Sequence, residues 1–348
     1  MKPQVFHYNL PFELETGEVL PQLTIAYTTY GKLNASRDNV IWICHALTAS
    51  SDAQDWWPEM IGKFCVLNTD EYFVICANIL GSCYGTTGPT SINPGSNEPY
   101  YAAFPAVTIR DMVRAHELLR HYLFIKKIQL IIGGSMGGYQ ALEWSIMKPA
   151  LFDKLILLAT SARETAWGIA IHTAQRMALK ADASFFHKDP KAGEKGLAAA
   201  RAMGMITYRN YNQFVHAQTD IKHDKLTGFS ASSYIKHQGI KLVKRFNAHS
   251  YYTLTKAMDT HNIARRRGKT VEEVLKRIYH PTLIFSMKDD ILCPFEEQKL
   301  LADHMPNARL ITVNTNFGHD GFLVETREIA GFIERFMADK PIEKEICL

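Results

Sequence analysis

The chain has 348 residues, 47% hydrophobic and 21% charged, a globular composition long enough for one large α/β domain carrying an insertion, or for two domains. A net charge of +4 with dispersed lysines and arginines excludes a nucleic-acid binder, and no apolar run approaches the roughly 20 residues that span a bilayer. The N-terminus lacks a signal-peptide core. The six cysteines, Cys44, Cys65, Cys76, Cys83, Cys293 and Cys347, form neither a C-x-x-C pair nor a zinc-spaced cluster with histidine, so a cytoplasmic protein with reduced thiols and no metal is expected.

The opening reads as antiparallel strands at a sheet edge. Residues 20–30 are rich in β-formers, and Glu15-Thr16-Gly17-Glu18 before them has hairpin-turn composition. Residues 40–44 are a continuous apolar run, as in a strand buried on both faces, and run directly into His45-Ala46-Leu47-Thr48. Residues 72–77 form a second such run. The long irregular segment after it, Gly81 to Pro89 with Pro94, Gly95 and Pro99 beyond, costs ordering entropy and is expected to wall a site. Thr108-x-x-Asp111 opens an amphipathic helix with Ile109, Met112, Val113, Leu119 and Leu123 on one side.

Residues 128–132 read as another buried strand, followed by Gly133-Gly134-Ser135-Met136-Gly137-Gly138 and a helix through Tyr139-Gln140-Ala141-Leu142-Glu143-Trp144. Gly133-x-Ser135-x-Gly137 in a strand–turn–helix context fits a nucleophile elbow. The glycines two residues either side of the serine are needed because a side chain there would strike neighbouring backbone. The serine hydroxyl is then presented at a helix N-terminus, where backbone N–H groups favour developing negative charge. After a strand at 155–159 the strand–helix alternation stops. Residues 163–280 read as helical throughout, most clearly at 163–180, 194–205, 232–246 and 250–259, and the sheet resumes at 281–285 and 308–313 before a closing helix over 321–337. The expected architecture is an α/β-hydrolase fold, a mostly parallel doubly wound sheet, with core segments 1–162 and 281–348 and a helical lid at 163–280.

A serine nucleophile needs a base to take its proton and an acid to orient that base. In α/β-hydrolase folds these follow in the order Ser, Asp or Glu, His, each after a late strand. The strand ending at Phe285 is followed by Asp289 and Asp290, and the strand ending at Val313 by Gly318-His319-Asp320. His319 is the candidate base. Adjacent carboxylates project differently, so one of Asp289 and Asp290 is expected to reach it. The oxyanion hole is assigned to the backbone N–H of Met136 and, in the loop after the 40–44 strand, of Leu47.

Much longer motifs then coincide with one family. Residues 39–48, 72–85, 133–138 with Gln140-Ala141-Leu142-Glu143-Trp144, Ser91-Ile92-Asn93-Pro94, residues 108–113 and Gly318-His319-Asp320-Gly321-Phe322-Leu323 resemble the homoserine O-acetyltransferase family over nearly the whole chain. The resemblance implies acyl transfer from acetyl-CoA to the hydroxyl of L-homoserine, a step toward methionine, by a ping-pong route through an acyl-serine. It implies no cofactor beyond acetyl-CoA as co-substrate, and a homodimer formed through the lid. The nucleophile falls on Ser135 and the base on His319. The acid falls on Asp290, just before Ile291-Leu292-Cys293-Pro294, where Cys293 replaces the family's usual aromatic. Residues 197–208 resemble the lid segment carrying a substrate-carboxylate arginine and a tyrosine, here Arg201 and Tyr208, with Met205 where a histidine is common. An amino-acid acceptor suits Arg201 for its carboxylate and Asp320 for its ammonium. The same triad would serve a succinyl donor, a serine acceptor, or an esterase or thioesterase using water. Lys241, Lys244 and Arg245 are candidates for the CoA phosphates.

Overall fold

A computed structural model describes residues 2–222 and 224–341; Cys347 lies outside them. Its centre is an eight-stranded sheet. The strands are β1 (Gln4–Tyr8), β2 (Leu23–Tyr30), β3 (Val40–Cys44), β4 (Phe73–Ala77), β5 (Ile128–Gly134), β6 (Phe152–Leu158), β7 (Thr282–Met287) and β8 (Ala308–Val313), in the order β1-β2-β4-β3-β5-β6-β7-β8. The first two pairings, β1–β2 and β2–β4, are antiparallel and the rest parallel. Every residue of β3 and β4 is buried. Their apolar runs feed both faces: Trp42 belongs to the core on one side of the sheet, Ile41 and Ile43 to the core on the other.

The labelled helices are α1 (Ile109–Tyr122), α2 (Met136–Met147), α3 (Ala166–Ala181), α4 (Glu194–Tyr208), α5 (Tyr211–Gln218), α6 (Ser230–Val243), α7 (Ala248–Asp259), α8 (Phe295–His304) and α9 (Thr326–Met337). Thr108 caps α1 in a full capping box with Asp111. Helices α3 to α7 lie between β6 and β7 in sequence; α4 packs on both α3 and α6, and α3 also packs on α7. An isolated antiparallel bridge between Arg163 and Asn262 closes the neck of this layer. The closing helix expected over 321–337 is instead two pieces, Gly321–Val324 and α9, because Glu325 (ψ 43°) leaves helical geometry and Thr326 bonds Glu59. Helix α5 lies inside the stretch expected to be helical, whereas α8, between β7 and β8, has no counterpart in the sequence reading.

The register places the chemistry. Gly133 at the end of β5 pairs with Cys44 at the end of β3, so the turn after Gly134 and the loop after Cys44 lie side by side. On the other flank Leu158 pairs with Phe285 and Met287 with Val313, which brings the loops after β7 and β8 to the same edge. That is the carboxyl edge of the parallel strands, where open α/β sheets hold ligands.

A buried ionic network braces this frame from the N-terminal hairpin. Glu143 of α2 receives Arg110 Nε at 2.6 Å and is also paired with Arg267; Arg110 Nη1 and Arg265 Nη1 each lie 2.7 Å from Glu15 Oε1. Burial pushes the Glu143 pKa up, but Arg267 and Arg110 more than offset this and hold it below the ordinary glutamate range. A depressed carboxylate stabilises the fold above its unfolded pKa and loses that contribution as pH falls through the folded value. Glu143→Ala leaves the half-buried Arg267 without its carboxylate and Arg110 with Glu15 alone, and is expected to cost about 3 kcal/mol. A urea midpoint unchanged from wild type at pH 7 would show that the network is not stabilising.

Candidate active site

Ser135 stands at φ 53° and ψ −126°, a region that costs a non-glycine residue about 1–3 kcal/mol. Close packing enforces it. A Cβ on Gly133 would lie 2.3 Å from the Gly137 carbonyl oxygen, and one on Gly137 would lie 2.0 Å from that of Cys44. The Ser135 N–H donates to Leu158 O at 2.9 Å, and its carbonyl accepts the Thr160 hydroxyl at 2.8 Å. Thr160 O in turn accepts Gln298 Nε2 of α8 at 2.7 Å. The serine backbone is therefore fixed from both sides, and its Oγ is aimed by the fold.

Ser135 Oγ lies 2.9 Å from His319 Nε2, and His319 Nδ1 lies 2.7 Å from Asp290 Oδ2. The other Asp290 oxygen accepts the N–H groups of Leu292 and Cys293 at 2.8 and 2.9 Å. An ionised carboxylate can only accept, so Nδ1 carries the proton and Nε2 presents its lone pair to the serine hydroxyl. Asp289 turns elsewhere: it has φ 61° and accepts Asn210 Nδ2 at 3.0 Å. Burial pushes the His319 pKa down, but the Asp290 carboxylate, with smaller help from Asp320 and Glu164, more than offsets this and leaves it above the ordinary 6.5. A base works in its neutral form, so kcat/KM is expected to fall tenfold per pH unit below an apparent pKa above about 6.5. An acid limb below that value in the pH–rate profile would contradict the assignment.

These groups open into a pocket of about 660 Å³. Leu47 lines it, and neither its N–H nor that of Met136 has an acceptor among the described residues, as an oxyanion hole requires. Two props with no signature in the sequence hold this loop. His45 is fully buried; its Nδ1–H donates to Ala46 O at 2.9 Å and its Nε2 accepts Ile79 N–H at 3.2 Å, a neutral tautomer with burial pushing its pKa down to about 4. Gln140 Nε2 donates to both His45 O and Met136 O at 3.2 Å, and its Oε1 lies 3.0 Å from His116 Nε2.

Arg201, Tyr208 and Asp320 also line the pocket. The Arg201 guanidinium lies 5.2 Å from the Tyr208 ring centroid, and that ring lies 5.8 Å from the His319 ring. Arg209 Nη2, not foreseen, sits 3.4 Å from Asp320 Oδ2, while Met205 is buried in the core of α4's packing. Lys241 and Arg245 reach the pocket and Lys244 does not; Arg245 bonds the Tyr84 hydroxyl at 2.8 Å and the Thr48 carbonyl. Of the irregular segment 81–99, only Tyr84 faces this pocket. Thr86 and Thr87 instead accept the Ala26 and Thr24 N–H groups of β2, and residues 92–93 pair with 98–99 in a small hairpin of their own. No group of three or more metal-ligating side chains occurs among the described residues.

The chain is similar over nearly its whole length to known proteins. Residues 39–326 match the family model described as the alpha/beta hydrolase fold. A homoserine O-acetyltransferase of Trichormus variabilis is 44% identical over 337 residues, covering 96% of this chain and 93% of that protein. The crystal structure of homoserine O-acetyltransferase from Bacillus anthracis superposes with a TM-score of 0.89 at 24% identity, covering 99% of both chains. Esterase E22 superposes with a TM-score of 0.87 at 24% identity, covering 97% of this chain and 99% of that one. At these identities the two structures share the fold.

Proposed function

Since the chain belongs to the homoserine O-acetyltransferase family of α/β hydrolases, we propose that it transfers an acetyl group from acetyl-CoA to the side-chain hydroxyl of L-homoserine by a ping-pong route. The observation that carries the mechanism is the chain of hydrogen bonds from Ser135 through His319 to Asp290, opening into a pocket walled by Arg201 and Asp320. In the first half-reaction Ser135 Oγ attacks the thioester carbonyl as its proton passes to His319 Nε2. The C–S bond then breaks, His319 returns the proton to the leaving CoA thiolate, and an acetyl-serine remains. In the second, His319 takes the proton of the homoserine hydroxyl as that oxygen attacks the acetyl carbon, and hands it to Ser135 Oγ as the ester breaks. Each tetrahedral oxyanion is met by the N–H groups of Leu47 and Met136.

Arg201 is placed to pair with the acceptor's carboxylate, and Asp320 with its ammonium; the Arg209 contact keeps that carboxylate aimed into the pocket. Tyr208 forms the wall between them and His319. Lys241 and Arg245 suit the phosphates of CoA. Under this reading acetyl-CoA is a co-substrate, no metal or cofactor takes part, and the helices of 163–280 act as the lid. The protein would work in the cytoplasm as a homodimer through that lid. One observation supports the dimer: Trp167, Met177, Ile206 and Tyr211 of the helical layer are exposed; no described helix is long and apolar enough to cross a membrane.

The acceptor decides between transferase and hydrolase. CoA thiol release from acetyl-CoA is expected to depend on added L-homoserine, with O-acetylhomoserine as product. Release at an equal rate without any acceptor would make water the acceptor and the protein a thioesterase. Release only with succinyl-CoA, or only with L-serine, would reassign the donor or the acceptor.

A further inference from the structure

A second cavity, of about 320 Å³, lies between the loop at residues 101–106, the 3-10 turn Ala183–Phe186 and α7, and shares no lining residue with the catalytic pocket. Its wall is aromatic, with Phe104, Phe186 and Tyr252 around the opening. In that wall His249, 2% exposed, is held between two rings: Phe185, with centroids 4.6 Å apart and planes at 30°, and Tyr101, at 5.5 Å and 44°. Neither imidazole nitrogen has a hydrogen-bond partner among the described residues. Burial pushes the His249 pKa down, so at neutral pH the ring keeps one N–H to give and one lone pair to receive, both unmet. A buried polar group left in this state asks for a bound partner. Charge points the same way. The ammonium groups of Lys180 and Lys256 stand 5.4 and 5.8 Å from the Tyr252 ring centroid, and neither pairs with a carboxylate among the described residues.

We propose that this cavity is a second ligand site that takes a small planar heteroaromatic anion. The flat ring lies against the aromatic wall, the His249 ring turns out from between Phe185 and Tyr101 to meet its polar edge, and its anionic group reaches Lys180 and Lys256. An apolar ring would leave the imidazole unmet, a cation would face two ammonium groups, and the volume admits one or two fused rings with a short polar arm. A nucleoside monophosphate and a heteroaromatic carboxylate share this chemistry, and adenosine 5′-monophosphate and nicotinate are the probes that separate them.

Titration calorimetry on the full chain is expected to show one of the two probes bound per chain, which identifies the source. The double variant Lys180→Glu/Lys256→Glu, both exposed positions, is expected to weaken that binding by at least roughly tenfold, the worth of one charge-assisted contact. Lys241→Glu in the catalytic pocket is expected to leave it unchanged. The ¹⁵N resonances of His249 are expected to shift with the probe in wild type. Binding of neither probe would overturn the proposal. So would binding that resists the Lys180/Lys256 reversal, or that responds to Lys241→Glu instead.

Discussion

Replacing Ser135 by alanine is expected to cut homoserine-dependent CoA release by on the order of 10⁶-fold, the scale seen when a serine nucleophile acting with its histidine is removed. The loss should be chemical rather than structural. The contacts that hold this strained residue run through its backbone: its N–H to Leu158, its carbonyl to Thr160, and the glycine contacts at 133 and 137. Alanine keeps all of them, so the melting temperature should stay near that of wild type. Acetyl-CoA without acceptor should leave an acetyl group on the peptide containing Ser135 in wild type and none in the variant. Substantial turnover by Ser135→Ala, or an acetyl adduct on another residue, would sink the acyl-serine route.

How much of this site could be read from the sequence follows from how local each determinant is. The elbow is local, since Gly133, Ser135 and Gly137 sit within one turn and their spacing carries its own steric reason. The order of Ser135, Asp290 and His319 was legible because each follows a recognisable apolar strand in a parallel sheet. The supports were not legible. His45, Gln140 and Thr160 act through hydrogen bonds to main-chain atoms that only the folded register brings near, and buried His, Gln and Thr have no periodic signature. The Arg209–Asp320 contact escaped for the same reason: one partner ends α4 and the other follows β8. The segment 81–99 was overread as a site wall because irregular composition does not distinguish a loop facing a pocket from one hydrogen-bonded along a strand edge, as Thr86 and Thr87 are. The closing helix was read as continuous because nothing in the composition of 321–337 marks the break that Glu325 makes.

Asp290 and Asp289 give the second large prediction, since adjacent identical carboxylates are turned to different tasks by one backbone angle. Asp289 occupies the left-handed region at φ 61° inside a turn closed by the Asp290 N–H on Met287 O, which sends its neighbour toward the sheet edge. Asp290 then spends both oxygens on N–H donors: one on His319, the other on the Leu292 and Cys293 amides. The amides lock the carboxylate in place, and the Cys293 side chain is buried. Asp290→Asn preserves shape but can offer an amide N–H where His319 needs an acceptor. It would favour the tautomer whose Nε2 bears the proton and cannot take one from Ser135. Turnover is expected to fall by on the order of 10⁴-fold. The residual activity should show its acid limb at lower pH, because the charge holding the His319 pKa up is gone. Asp289→Asn keeps an amide oxygen to accept from Asn210 in the helical layer and is expected to change turnover only a few-fold, with the acid limb unmoved. Equal losses in the two variants, or a limb that moves for Asp289 rather than Asp290, would take the orienting role away from Asp290.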